Sequence, residues 1–187
     1  MDDIRTSGAG AATQRTAETI ARKYGASVTP LNYKSESSIV SKVRRGDKLK
    51  DIKDLARTTI YTSNASDIPK IVKELERNGA HFRTKWQTDK NKFAGYSGVI
   101  INMRYKGNRY TEIQVNTDRM IYAKEKFGVA VKILGAKRYR ELYRSTGAYG
   151  GWGHDYYDDI RGDKGKKGRR KKGAAVYDSI NYYSQFK

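Results

Sequence analysis

The chain has no cysteine. That removes disulfides, thiolate nucleophiles and cysteine-ligated zinc together. No apolar run approaches the length of a membrane span, and the opening Met-Asp-Asp-Ile-Arg has neither the basic start nor the apolar core of a signal peptide. A protein working in a cytoplasm, without membrane contact, is therefore expected, and delivery into a target cell by another route stays open. Neither Gly-x-x-x-x-Gly-Lys-Ser/Thr nor His-Glu-x-x-His occurs, so P-loop ATPase and zinc-protease chemistries have nothing to rest on. No internal repeat is present.

Acidic residues are outnumbered: 20 Asp and Glu stand against 39 Lys and Arg, for a formal net charge of +19 and a pI of about 10.0. Phosphate-bearing partners are the default expectation for such a charge. Phenylalanine is scarce too, four residues against fifteen tyrosines, which points to aromatic surfaces that stay partly wet, suited to base stacking or to half-exposed cores. A mean hydropathy of -0.87 puts the 187 residues at the polar end of globular proteins, with length enough for one core plus appendages.

What is present centres on residues 107–117. Tyr110, Glu112, Gln114 and Asn116 alternate with Thr111, Ile113, Val115 and Thr117, the period of a strand with one core face and one polar face. Glutamate is a poor strand former, so that face is either solvated or has a task. A second acidic stretch, residues 53–61, carries Asp54 into another strand, read over 55–62. Two strands that bring one carboxylate each to the same sheet edge can share a divalent cation such as Mg²⁺.

Along the chain, residues 1–12 read as a flexible N-terminus and 13–24 as a helix stopped at Gly25. After a loop through Pro30, Ser35 or Ser37 caps a helix with Ile39 and Val43 on its buried side. Ser66 or Asp67 caps a third, with Pro69 in its first turn and Ile71, Val72 and Leu75 on one face. Residues 81–86 make a strand, and 99–105 with 109–117 an antiparallel hairpin across Lys106-Gly107-Asn108. Asp118 is placed to cap the next helix, and another runs over 131–146. Residues 13–147 thus form the main domain, and 148–187 an aromatic and basic extension. Within it, residues 161–173 hold eight Lys or Arg against one Asp, +7 of the +19, a run suited to RNA or another polyanion.

Four stretches, in order, resemble the synthetase domain of the RelA/SpoT family, and in particular its small toxin-type relatives. Lys34-Ser35-Glu36-Ser37-Ser38-Ile39 with Lys42 and Arg45-Gly46 is similar to the family's ATP-phosphate run. Asp54-Leu55-Ala56-Arg57 looks like the strand with the magnesium-binding Asp. Gly95-Tyr96-Ser97-Gly98 resembles the segment whose Tyr stacks on the acceptor base, and Glu112-Ile113-Gln114-Val115-Asn116-Thr117 resembles the Glu-x-Gln-x-Arg-Thr signature. Asn32, Thr59, Ile100 and Asn116 depart from the pattern at the guanidinium clamps and near the acceptor.

The resemblance implies an α+β fold of the nucleotidyltransferase-like kind, with a mixed, mostly antiparallel sheet of about five strands and flanking helices. It implies Mg²⁺-dependent transfer of pyrophosphate from ATP to the ribose 3′-hydroxyl of a purine nucleotide or of an RNA 3′ end such as that of tRNA, in a growth-inhibiting toxin. Glu112 and Asp54 are then catalytic and hold the metal. Lys34, Ser38, Lys42, Arg45 and Arg57 bind ATP, and Tyr96, Gln114 and Asn116 the acceptor. An antitoxin or immunity protein is the expected protein partner. The alternative is a basic RNA-binding module without catalysis.

Overall fold

The structure, a computed structural model, describes residues 7–48, 51–162 and 166–187, apart from the side chains of 161–172. By contacts the chain divides into two compact units, Met1–Lys85 with Val99–Asn116, and Trp86–Gly98 with Thr117–Lys187.

The first unit is built on a six-stranded sheet. Its strands are β1 (Ser27–Val28), β2 (Asn32–Tyr33), β3 (Ala56–Thr62), β4 (His81–Gln87), β5 (Gly98–Tyr105) and β6 (Arg109–Thr117). They lie in the order β1-β3-β6-β5-β4, with β2 also paired to β3. β1 and β2 run antiparallel to β3, and β5 to β6. The α+β reading and the hairpin agree with this arrangement. β1 and β2, two residues each, fall inside the stretch read as a loop, because a pair of residues shows no period.

Helices α1 (Ala9–Lys23) and α3 (Ile68–Glu76) belong to this unit, as does α2 (Glu36–Arg44). Alternate residues of β3, β5 and β6 (Ile60; Val99, Ile101, Met103; Ile113, Val115) meet Ala17, Ile20 and Ala21 of α1 and Ile71, Val72 and Leu75 of α3 in one aliphatic core. Burying each of the larger side chains contributes about 1.5–3 kcal/mol. The Asn108 turn residue takes positive φ (54°) beside Gly107 (72°), as the hairpin requires.

The sequence reading needs three corrections here. α1 begins at Ala9, with Ala9 and Gly10 buried, ahead of the start read at Thr13. Asp67 stands at the N-cap of α3, but its side chain makes no capping hydrogen bond and pairs with Lys70; Asn64 caps the 3₁₀ turn Ala65–Asp67 ahead of the helix by accepting from Ser66 N. Val43 is 46% exposed although the helical period puts it with Ile39, because α2 buries only that one residue.

The second unit is helical: α4 (Asp118–Lys124), α5 (Phe127–Leu134), α6 (Ala136–Thr146), α7 (Gly153–Gly162) and α8 (Lys166–Ser184). The helix read over 131–146 is two, broken at Gly135, whose φ of 80° and ψ of 150° no helix accommodates. Thr117 caps α4 by accepting from Met120 N at 3.1 Å. Asp118 is thereby freed to pair with Arg138 at 2.6 Å instead of capping. The core here is aromatic, with Tyr122, Tyr182, Tyr183 and Phe186 joining Met120, Ala123 and Leu142. Tyrosine can line it because its hydroxyls find partners: Tyr182 donates to Ala123 O at 2.8 Å and accepts from Trp152 N, and Tyr122 donates to Ala148 O at 2.8 Å. Among the described residues no helix is long and apolar enough to cross a membrane.

Candidate active site

Glu112 lies on β6 with its side chain on the sheet face opposite the aliphatic core. The expected alternation holds, but the polar face is not wet: Glu112 is 8% exposed, Gln114 9% and Asn116 1%. A carboxylate taken out of water without a counter-charge costs several kcal/mol. Here Gln114 Nε2 donates one hydrogen bond to Oε1 at 2.8 Å. Burial pushes the Glu112 carboxyl above the ordinary range, the Gln114 bond and the charge of Arg57 pull it back, and the charge of Asp54 pushes it further up. An acid held in this state is a poor contributor to stability and a usual mark of a functional site.

Asp54 sits just before β3 rather than within it. Its Oδ2 accepts from Lys34 Nζ at 2.7 Å and its Oδ1 from Lys42 Nζ at 2.8 Å. Burial alone would raise its pKa, but the two ammonium groups hold the carboxyl below its usual range. Lys34 arrives from the end of β2, and Lys42 from α2, whose first turn is fixed by Ser35 accepting from Ser38 N. Arg57, one strand residue into β3, forms no ion pair with Asp54 among the described residues, and acts on Glu112 through space.

A cavity of about 230 Å³ opens here, lined by Asn32, Tyr33, Lys34, Ser35, Ser38, Asp54 and Arg57. It is smaller than the ~300–1,000 Å³ of a whole-ligand pocket and suits one charged part of a ligand. The structure therefore gathers Lys34, Ser38, Lys42, Asp54, Arg57, Glu112 and Gln114 in one unit, with Asn116 further along β6. Arg45 stands exposed just past α2, outside the cavity lining.

Tyr96 belongs to the second unit. It is half-buried, 5.7 Å edge-on from Tyr183, with Lys124 Nζ 6.0 Å from its ring centroid. The loop before it is fixed by Ser179 Oγ donating to Ala94 O at 2.6 Å, and Gly95 (φ 86°) approaches Ile180 so closely that a Cβ would fall 2.7 Å from its Cα. His154 pairs with Glu125 at 3.3 Å. The side chains of the basic run at 161–172 lie outside the described residues.

Sequence reasoning missed Lys53, Phe82 and Arg104, which gather around Tyr110 on β6. Only Tyr110 carried a signal, its alternation with Glu112.

Two carboxylates that repel one another, both of hard oxygen, fit a divalent cation, which would relieve that repulsion. Among the described residues there is no group of three or more His, Asp or Glu that would form a cage supplied by protein alone. A cation here would take its remaining ligands from phosphate or water, as Mg²⁺ does.

No established family profile matches the chain. It is 38% identical over 149 residues, 78% of its length, to the (p)ppApp synthetase toxin Tas1 of Pseudomonas aeruginosa (strain UCBPP-PA14). It spans about a third of that curated relative (33%). Against the crystal structure of the complex between the Type VI effector Tas1 and its immunity protein, identity is 33%, with 96% of this chain and 91% of that one covered, at a TM-score of 0.84. The small alarmone synthetase 2 of Bacillus subtilis shares the fold at a TM-score of 0.56 and 23% identity, over 98% of this chain and 92% of that one. With the buried acid on β6, the Lys-held aspartate before β3 and this likeness together, the chain belongs to the RelA/SpoT family of alarmone synthetases.

Proposed function

We propose that the chain is the catalytic module of a toxin that transfers pyrophosphate from ATP to the ribose 3′-hydroxyl of a purine nucleotide. The likeness to a (p)ppApp synthetase favours an adenosine nucleotide as acceptor. The observation that carries the reading is the buried Glu112 set against Asp54 and its two lysines.

The acceptor 3′-oxygen attacks the β-phosphorus of ATP. The bond from that phosphorus to the α,β-bridging oxygen breaks, its electron pair leaves on AMP, and the hydroxyl proton passes to Glu112. A carboxyl raised by burial is matched to that proton, and general-base help of this kind is worth about 10²–10⁴-fold. Gln114 fixes the carboxylate by holding Oε1, so that the other oxygen faces the hydroxyl. Lys34, Lys42 and Arg57 bind the triphosphate, with Ser38 at the cavity wall; Arg45, exposed past the end of α2, is not part of that lining. When phosphate replaces Asp54 as the partner of Lys34 and Lys42, Asp54 is released toward the cation site it would share with Glu112. Mg²⁺ there would neutralise phosphate charge as the bond to AMP breaks. Tyr96 receives the acceptor base, where stacking contributes ~1–3 kcal/mol, and Asn116 stands where the family signature has Arg.

By the same likeness, a longer protein delivers the module into a target cell, and an immunity protein protects the producer. Incubating the protein with ATP, Mg²⁺ and, separately, AMP, ADP, ATP, GDP, GTP and tRNA, and weighing the products by mass spectrometry, tests the reaction. AMP and an acceptor heavier by one pyrophosphate are expected; release of inorganic phosphate with no acceptor gain contradicts it. Lys34→Ala should raise the KM for ATP about tenfold or more, as loss of a charge-assisted contact does.

A further inference from the structure

On the face that carries Glu112, β6 and β5 continue into a second cluster. Tyr110 precedes Glu112 by two residues, about 7 Å along the strand. Across the ladder Arg104 stands opposite Tyr110, as Asn102 does opposite Glu112. Phe82 of β4 packs on Tyr110 with ring centroids 5.2 Å apart. Lys53, the residue before Asp54, places its Nζ 5.6 Å from the Phe82 centroid and 5.5 Å from that of Tyr110. The Arg104 guanidinium lies 5.8 Å from the Phe82 ring.

Neither cation has a carboxylate partner among the described residues. Among the described residues the Arg104 guanidinium donates to the neutral amide oxygen of Asn108, at 2.6 Å from Nη2 and 3.1 Å from Nε. Ring faces attract a cation without neutralising it, so two positive charges point to the side of the sheet where the transfer is placed. The ATP phosphates already have Lys34, Lys42 and Arg57. Phe82 remains 41% exposed, a surface on which a base can lie.

We infer that Lys53 and Arg104, set on the Phe82 and Tyr110 rings, seat the 5′-phosphate of the acceptor nucleoside while its 3′-hydroxyl is presented to Glu112. The inference rests on the pyrophosphokinase reading above. The one strand repeat between Tyr110 and Glu112 matches a nucleotide lying along β6, its ribose at Glu112 and its phosphate at the cations. A free nucleotide carries this 5′-phosphate as a terminal group, and an RNA end carries it as the phosphodiester to the preceding residue, whose base would then meet Phe82. Both present the same chemistry to the seat.

The test is equilibrium binding by calorimetry with Mg²⁺ and saturating α,β-methylene-ATP, whose carbon bridge replaces the bond that would break. The probes are adenosine, AMP, ADP and an RNA trinucleotide ending in adenosine with a free 3′-hydroxyl. Wild type should bind ADP at least tenfold more tightly than adenosine. Lys53→Met and Arg104→Met should each weaken ADP about tenfold and leave adenosine within twofold, with Arg104→Lys restoring most of the loss. Affinity for the ATP analogue reports that each variant is folded. A loss confined to ADP names the free nucleotide as the source, and a loss confined to the trinucleotide names the RNA end; either supports the seat. Equal affinity of wild type for adenosine and ADP, no binding of ADP or trinucleotide, or equal weakening of adenosine by the variants overturns it. Phosphate discrimination without pyrophosphate transfer would remove the reaction and keep the seat. Transfer without discrimination would remove the seat alone.

Discussion

The two units bury different chemistry. The sheet unit keeps aliphatic side chains on one face and places Glu112, Gln114 and Asn116, equally buried, on the other. The helical unit is cored by tyrosines whose hydroxyls close on backbone groups. In the first, a buried carboxyl is held above its ordinary pKa; in the second, buried phenols hydrogen-bond to the backbone. Stability and the proposed chemistry separate along that line, since an acid held above its ordinary pKa is a usual mark of a functional site and a satisfied phenol belongs to a core.

The largest contrast should come from truncation. Ile113→Ala, on the filled face of β6, should cost about 2–5 kcal/mol. Tyr182→Phe, which strands Trp152 N and takes from Ala123 O one of its two donors, the other being Gly151 N, should cost ~1–3 kcal/mol. Urea unfolding measures both, and a Tyr182→Phe protein as stable as wild type would break the comparison, because its hydroxyl would then be idle.

A smaller effect runs the opposite way. Glu112→Gln keeps the shape of the side chain and removes a buried charge, so it should stabilise the protein by ~1 kcal/mol, about 2–4 °C in Tm. A lower Tm would mean that the carboxylate is structurally paired.

The pH dependences sharpen the same contrast. Glu112 is raised above 4.5 by burial, so the stability linked to it is full below 4.5 and lost as pH rises through its folded value. Glu125, in the helical unit, would also be raised by burial, but the His154 hydrogen bond and the Lys124 ammonium hold it at about 2. Its contribution is present above 4.5 and lost as pH falls toward about 2. In unfolding titrations, the gain from Glu112→Gln should therefore grow from acid to neutral pH. The deficit of Glu125→Gln should shrink from neutral pH to acid.

Legibility in the sequence follows the same division. The β5–β6 hairpin and α3 were readable because periods of two and of 3.6 run uninterrupted to a turn at Lys106-Gly107-Asn108 and a stop at Asn78-Gly79. Glu112 was readable on its strand and Asp54 at the approach to another, and the family resemblance joined them as a candidate pair. That the polar face of β6 is buried was not, since a strand's own alternation does not say what covers it. The partners of Asp54 were hidden for a similar reason: Lys34 and Lys42 meet it from 20 and 12 residues away. The tyrosine core joins residues 122, 182 and 183 across a long separation, and tyrosine fits surface and core alike, so no local pattern announces it. Thr117 and Asp118 are both good caps, and only the pairing of Asp118 with Arg138 decides between them.

The most direct test is pyrophosphate transfer itself, followed with ATP labelled on the γ-phosphate, in wild type and in Glu112→Gln. Label moving to a nucleotide acceptor in wild type, and falling by at least 10²-fold in a variant that stays folded, is the predicted result. Undiminished transfer by Glu112→Gln would contradict the account, because the buried acid at the centre of β6 would then have no part in the reaction.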